Sequence, residues 1–148
     1  MDARCLVRPA THADLADVGE IEREAFADPW PADTFVAHLS DLFLVATNGP
    51  TVLGFLVAGI AGPTVEIMNL AVAAAARRRG VAGRLLAAGC DALAAEGVSR
   101  VLLAVRISNV AARALYQRAG FHEVGLHEEY YRQPVEDALV LARRLGVP

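Results

Sequence analysis

The chain has 148 residues, 55% of them hydrophobic and 21% charged, with a formal net charge of −3. That length and apolar content give one domain with its own core and exclude a disordered segment. The acidic balance argues against a general nucleic-acid binder, although local charge can oppose the total. Met1 to Leu6 lacks the apolar run of a signal peptide. Cys5 to Arg8 reads as a first strand, closed by Pro9. Thr11 offers a helix N-cap, with Asp14 as a weak capping box, and Leu15, Val18, Ile21 and Ala25 form a helical stripe. Pro29-Trp30-Pro31 interrupts, after which Phe35, Val36 and Leu39 suggest a second short helix.

Leu42 to Thr47 and Val52 to Ile60 read as strands joined by the turn Asn48-Gly49-Pro50, and Val65 to Val72 as a fourth, buried strand. The stretch from Leu42 to Val65 is uncharged, but Asn48-Gly49-Pro50 and Gly62-Pro63 cut it well short of the roughly 20 residues that span a bilayer. A helix is expected from about Gly80 to Glu96, carried by Val81, Leu85, Ala88 and Ala92 and stopped by Gly97. Val101 to Arg106 follows as a short buried strand. Ser108 or Asn109 caps the next helix, which runs through Leu115 and Tyr116 to Gly120. Phe121 to His127 and Ala138 to Ala142 complete a β-α-α-β-β-β-α-β-α-β-β order, an α/β domain with a mixed sheet. Residues 1–148 read as one domain.

Arg77-Arg78-Arg79-Gly80-Val81-Ala82-Gly83 lies between a strand and a helix. A helix start offers unpartnered amides and a partial positive charge, and arginine adds forked donors, so the run suits a polyphosphate. A solvated charged face is the alternative, and the junction argues against it. Neither a P-loop nor Gly-x-Gly-x-x-Gly is present. Cys5 and Cys90 stand far apart and read as reduced core thiols of a cytosolic protein. His12, His38, His122 and His127 are scattered and suggest no metal site.

Arg77-x-x-Gly80-x-Ala82 resembles the pyrophosphate-binding motif of the GNAT family of N-acetyltransferases. Val105-Arg106-Ile107-Ser108-Asn109-x-x-Ala112-x-x-Leu115-Tyr116-x-x-x-Gly120-Phe121 resembles the last signature motif of the same family. Asn109 and Tyr116 lie about two helical turns apart, hence on roughly one face. Capping and packing alone would also explain them. Phe26-x-x-Pro29-Trp30-x-x-x-Thr34-Phe35 and Tyr130-Tyr131 look like the RimI type, which acetylates the N-terminal amine of a ribosomal protein.

The resemblance implies a central, mostly antiparallel mixed sheet of about seven strands flanked by helices, with acetyl-CoA between the fourth and fifth strands. It also implies that Arg77, Arg78, Arg79, Gly80, Val81, Ala82, Gly83, Asn109 and Ala112 bind acetyl-CoA, while backbone groups of Leu70, Ala71 and Val72 pair with its pantetheine arm. Tyr116 would be the general acid, and Trp30, Tyr130 and Tyr131 would wall the acceptor cleft. RimI-type enzymes usually carry a glutamate base where this chain has Ala104. Glu66 is the substitute expected as base. Its neighbours Val65 and Ile67 suggest burial, which would raise its pKa. Pairing with an arginine, or pointing to solvent, are the alternatives for Glu66. Glu128 and Glu129 either receive a basic peptide or form an ordinary solvated loop. The expected activity is acetyl transfer to a protein N-terminus, with no direct nucleic-acid or membrane partner. A small amine or lysine acceptor, or a non-catalytic acetyl-CoA or partner-binding module, are the rivals.

Overall fold

The computed structural model describes residues 5–146; residues 1–4 of the N-terminal stretch read above lie outside them. Seven strands form one sheet among the described residues. They are β1 (Cys5–Pro9), β2 (Leu42–Asn48), β3 (Thr51–Ala58), β4 (Thr64–Val72), β5 (Arg100–Arg106), β6 (His122–Arg132) and β7 (Val135–Arg144). The helices are α1 (Leu15–Ala25), α2 (Ala32–Ala37), α3 (Val81–Ala95) and α4 (Val110–Arg118). Strand order is β1-β2-β3-β4-β5-β7-β6, antiparallel throughout except for parallel β4 and β5. No helix among the described residues is long and apolar enough to cross a membrane.

Both faces of the sheet are covered, which explains why β2 and β3 read as continuous apolar runs. On one face Leu85, Leu86 and Leu93 of α3 pack against Leu44, Leu56, Val101 and Leu103. On the other, Val18 and Ile21 of α1 and Phe35 of α2 pack against Phe43, Val45, Phe55 and Val57. Cys5 and Cys90 are free and buried in the first of these layers. Asp14 joins β1 to the start of α1: its carboxylate accepts from Arg8 at 2.8 and 2.9 Å and from the Thr11 amide at 2.8 Å. The Arg8 hydrogen bond is the main cause that lowers the Asp14 carboxyl to about 2.

Local boundaries follow turn chemistry. Gly49, at φ 59°, sits in the β2–β3 turn, and Asn109 rather than Ser108 caps α4, its side chain accepting from the Ala112 amide at 3.1 Å. Gly80 precedes α3 instead of opening it, in a left-handed conformation. The last two strands are longer than expected, because β6 continues through the tyrosine pair. Gly54 sits opposite Val72, and a Cβ there would lie 2.8 Å from the Ala71 carbonyl oxygen. Backbone cannot yield cheaply, so Gly54→Ala should destabilise the fold by about 1–3 kcal/mol, read as a lower Tm in a thermal melt.

Candidate active site

β4 and β5 part company early. They pair only from Thr64–Arg100 to Glu66–Leu102, and β4 then continues to Val72 without a strand on that side. Within this free stretch Val57 faces Asn69 and Ala58 faces Ile67, so Met68 is an extra residue, a β-bulge. Val65 and Ile67 belong to the α3 layer, whereas Met68 and Ala71 belong to the α1 layer. The bulge thus resets which residues face α1.

The alternation corrects the expected burial of Glu66. Val65 and Ile67 are buried, but Glu66 points the other way and is exposed. Its charge instead reaches Tyr130 and Tyr131: burial raises both phenols, and the nearby Glu66 carboxylate raises each further. Tyr131, pushed up to about 12 chiefly by burial, also feels Tyr130, and it in turn raises Tyr116.

Tyr116 comes from the opposite side of the sheet. α4 lays it against the α3 layer, with its ring edge-on to Phe121 at 6.2 Å between centroids. Burial first, and Tyr131 second, push its hydroxyl up to about 12. Glu66 lies at the last β4–β5 register pair; its charge reaches the tyrosine pair on its own side, and Tyr131 in turn reaches Tyr116.

The tyrosine pair is held by a network that sequence reasoning missed. Arg106 donates to the backbone carbonyls of Pro134 at 2.9 Å and Gln133 at 3.0 Å. Its guanidinium lies 4.2 Å from the Tyr131 ring centroid and 3.3 Å from a Glu136 oxygen. The other Glu136 oxygen accepts from the Ser108 amide at 2.6 Å, next to the α4 cap. Glu129 takes a positive φ of 49°, and its amide donates to Asp137 at 2.8 Å. Glu128 and Glu129 are exposed on β6.

The arginine loop turns sharply before α3. Arg78 has φ 66° and Gly80 φ 76°, and Arg77, Arg78, Arg79 and Gly80 are all exposed. The Arg84 amide makes the first intrahelical bond, to Gly80, so the amides of Val81, Ala82 and Gly83 precede any internal acceptor. The Val81 side chain itself belongs to the core. A Cβ at Gly83 would meet nothing within 4 Å. These features fit an approaching anion.

The pantetheine expectation needs one correction. The Ala73 amide donates to Leu53 at 2.8 Å on the β3 side. Antiparallel alternation then turns the Ala71 polar groups toward β3 as well, and those of Leu70 and Val72 toward the open edge. Ala71 is therefore spent on the sheet. Arg77 Nε already bonds the Val72 carbonyl at 3.2 Å. Asn109 commits its carbonyl oxygen to the cap at Ala112, leaving its amide nitrogen as a donor.

Trp30 is half-buried against the α1 layer, 5.3 Å from both Phe35 and His38 between ring centroids. No ring contact joins it to Tyr130 or Tyr131 among the described residues. Its backbone amide donates to Glu22 at 2.9 Å, and Asn69 donates to the other Glu22 oxygen at 2.8 Å. Glu22 also escaped the sequence reading, yet Val18, Ile21, Glu22 and Ala25 occupy i, i+3, i+4 and i+7 of one stripe. A carboxylate in that pattern is the signal that could have found it.

The sequence profile of the Acetyltransferase (GNAT) family matches residues 15–121. The chain belongs to this family. The acetyltransferase is 34% identical over 133 residues to the [ribosomal protein bS18]-alanine N-acetyltransferase of Salmonella typhimurium, covering 87% of this chain and 90% of the relative. It is 36% identical over 147 residues to the N-alpha-acetyltransferase RimI of Mycobacterium tuberculosis, covering 93% and 91%. The solved ribosomal-protein-S18-alanine N-acetyltransferase of Escherichia coli superposes with TM-score 0.89 at 29% identity, over 97% and 96% of the chains. The expected GNAT fold, with its parallel β4–β5 pair, is present. On β5 of this GNAT enzyme, Val101, Leu103 and Val105 face the α3 layer. Leu102, Ala104 and Arg106 consequently face the other side, and Leu102 is the register partner of Glu66. Ala104 thus shares the face of Glu66.

Proposed function

We propose that this enzyme transfers acetyl from acetyl-CoA to the N-terminal α-amine of a protein, an alanine of a small-subunit ribosomal protein in the cytoplasm. The observation that carries the choice of acceptor is the 34% identity, over about nine-tenths of both chains, to a ribosomal-protein alanine acetyltransferase. Acetyl-CoA supplies an activated acetyl group as a thioester. Arg77, Arg78, Arg79 and the first amides of α3 hold its phosphates, the Leu70 and Val72 edge meets its arm, and Asn109 and Ala112 line the approach from α4. Trp30, Tyr130 and Tyr131 line the acceptor side.

Glu66, exposed beside the tyrosine pair, takes the proton from the incoming ammonium, directly or through water. The amine nitrogen bonds to the acetyl carbon as the carbon–sulfur bond breaks. Tyr116 gives its proton to the departing sulfur, the new amide nitrogen sheds its surplus proton to solvent, and exchange with solvent returns Tyr116 and Glu66 to their starting forms. An assay of released coenzyme A thiol tests the acceptor. An alanine-starting peptide should be turned over well above small amines and N-blocked lysine peptides; preference for either of the latter would overturn the proposal.

Glu66→Gln should lower turnover more near neutral pH than at high pH. A free α-amine has a pKa of about 8, so bulk base takes over as pH rises and the loss is partial. Adding Ala104→Glu should restore activity, because the two positions share one face. A pH–rate profile untouched by Glu66→Gln would remove Glu66 as the base.

A further inference from the structure

Glu22 is 2% exposed, and no arginine or histidine pairs with it among the described residues. Burying a carboxylate without a cation is costly, and here two neutral N–H donors are its compensation. Those donors come from two separate parts of the cleft. One is the backbone amide of Trp30, in the irregular segment between α1 and α2; the other is the Asn69 side chain, beside the Met68 bulge on the free stretch of β4. The Glu22 backbone carbonyl also accepts from the Phe26 amide at 3.0 Å, where that segment leaves α1. That backbone bond closes α1 whatever the side chain, whereas the carboxylate alone ties the far end of the segment, at Trp30, to the strand that borders the donor edge.

We propose that Glu22 is a positioning residue that sets the acceptor-side segment Phe26–Pro31 at a fixed spacing from the β4 bulge, so that the acceptor amine arrives in line with the acetyl group. An apolar side chain would fill the same stripe position without that cost, so burial alone does not account for a carboxylate there. The proposal rests on the acceptor assignment made above. It predicts an effect on acceptor use and little on acetyl-CoA binding, because neither hydrogen bond touches the arginine loop or α4.

Trp30 is the chain's only tryptophan, so its fluorescence reports this segment alone. Glu22→Ala and Asn69→Ala should each lower kcat/KM for an alanine-starting peptide by about tenfold or more, through misplacement of the acceptor. Acrylamide quenching of Trp30 should rise, while the acetyl-CoA Kd from calorimetry stays within about twofold of the parent. An exchange of chemistry guards against simple misfolding. Asn69→Asp alone faces two carboxylates in a buried place and should be severely impaired. Combined with Glu22→Gln, the new amide oxygen still accepts from Trp30 and the new amide nitrogen donates to the new carboxylate, so peptide kcat/KM and quenching should both recover.

Folded variants with the parent's kcat/KM and quenching would overturn the proposal. So would an acetyl-CoA Kd that worsens in step with kcat/KM, or a double variant no better than Asn69→Asp. A parent enzyme that binds acetyl-CoA but acetylates no peptide would instead remove the acceptor assignment, and the role of Glu22 with it. A parent that acetylates peptides beside unaffected variants removes the role of Glu22 alone.

Discussion

Tyr116→Phe should lower kcat by about 10²–10⁴ while leaving folding and acetyl-CoA affinity near those of the parent. The substitution keeps the ring, and with it the edge-on contact to Phe121, and removes only the hydroxyl. Burial pushes that hydroxyl up to about 12, so it holds its proton across the working pH range and is ready to give it to a departing thiolate. The sign matters for the pH profile. Tyr116 would lose its proton only near pH 12, so any fall of activity between pH 8 and 10 comes from another group. Rapid-quench measurement of the chemical step separates this effect from product release. An unchanged chemical step in the folded variant would mean that the thiolate leaves unaided.

What was legible in the sequence is what short segments decide by themselves. Gly49, Gly80, Gly97 and Gly120 mark element ends because a left-handed backbone is a local requirement, and all four have positive φ. The arginine loop and the Asn109 cap depend on neighbours within a few residues. Features that join distant segments were not legible. The Glu22–Asn69 hydrogen bond spans 47 positions, and the Met68 bulge appears only once β3 is laid beside β4. The length of β6 was hidden for a different reason. It is an edge strand whose residues are nearly all exposed, so it lacks the apolar alternation that reveals a half-buried strand. Glu66 was misjudged although its segment does alternate: two buried neighbours in a strand put the residue between them on the opposite face, not in the core.

Replacing Arg77 and Arg79 together with alanine should weaken acetyl-CoA binding by about 1–3 kcal/mol, a rise in Kd of roughly 5–150-fold. Both side chains are exposed, and neither has a carboxylate partner among the described residues, so folding should hardly notice their loss. Arg77 spends its Nε on the Val72 carbonyl at 3.2 Å, which leaves the two terminal nitrogens for a phosphate and fixes their direction. Exposed charges are screened, so the parent's Kd should rise with added salt and the variant's should rise less. Some affinity must survive, because the amides of Val81, Ala82 and Gly83 and the α3 dipole do not depend on either arginine. Calorimetric titration at two salt concentrations reads both quantities. A Kd that is unchanged in the double variant, and equally salt-sensitive, would move the phosphates away from this loop and leave the helix start without its ligand.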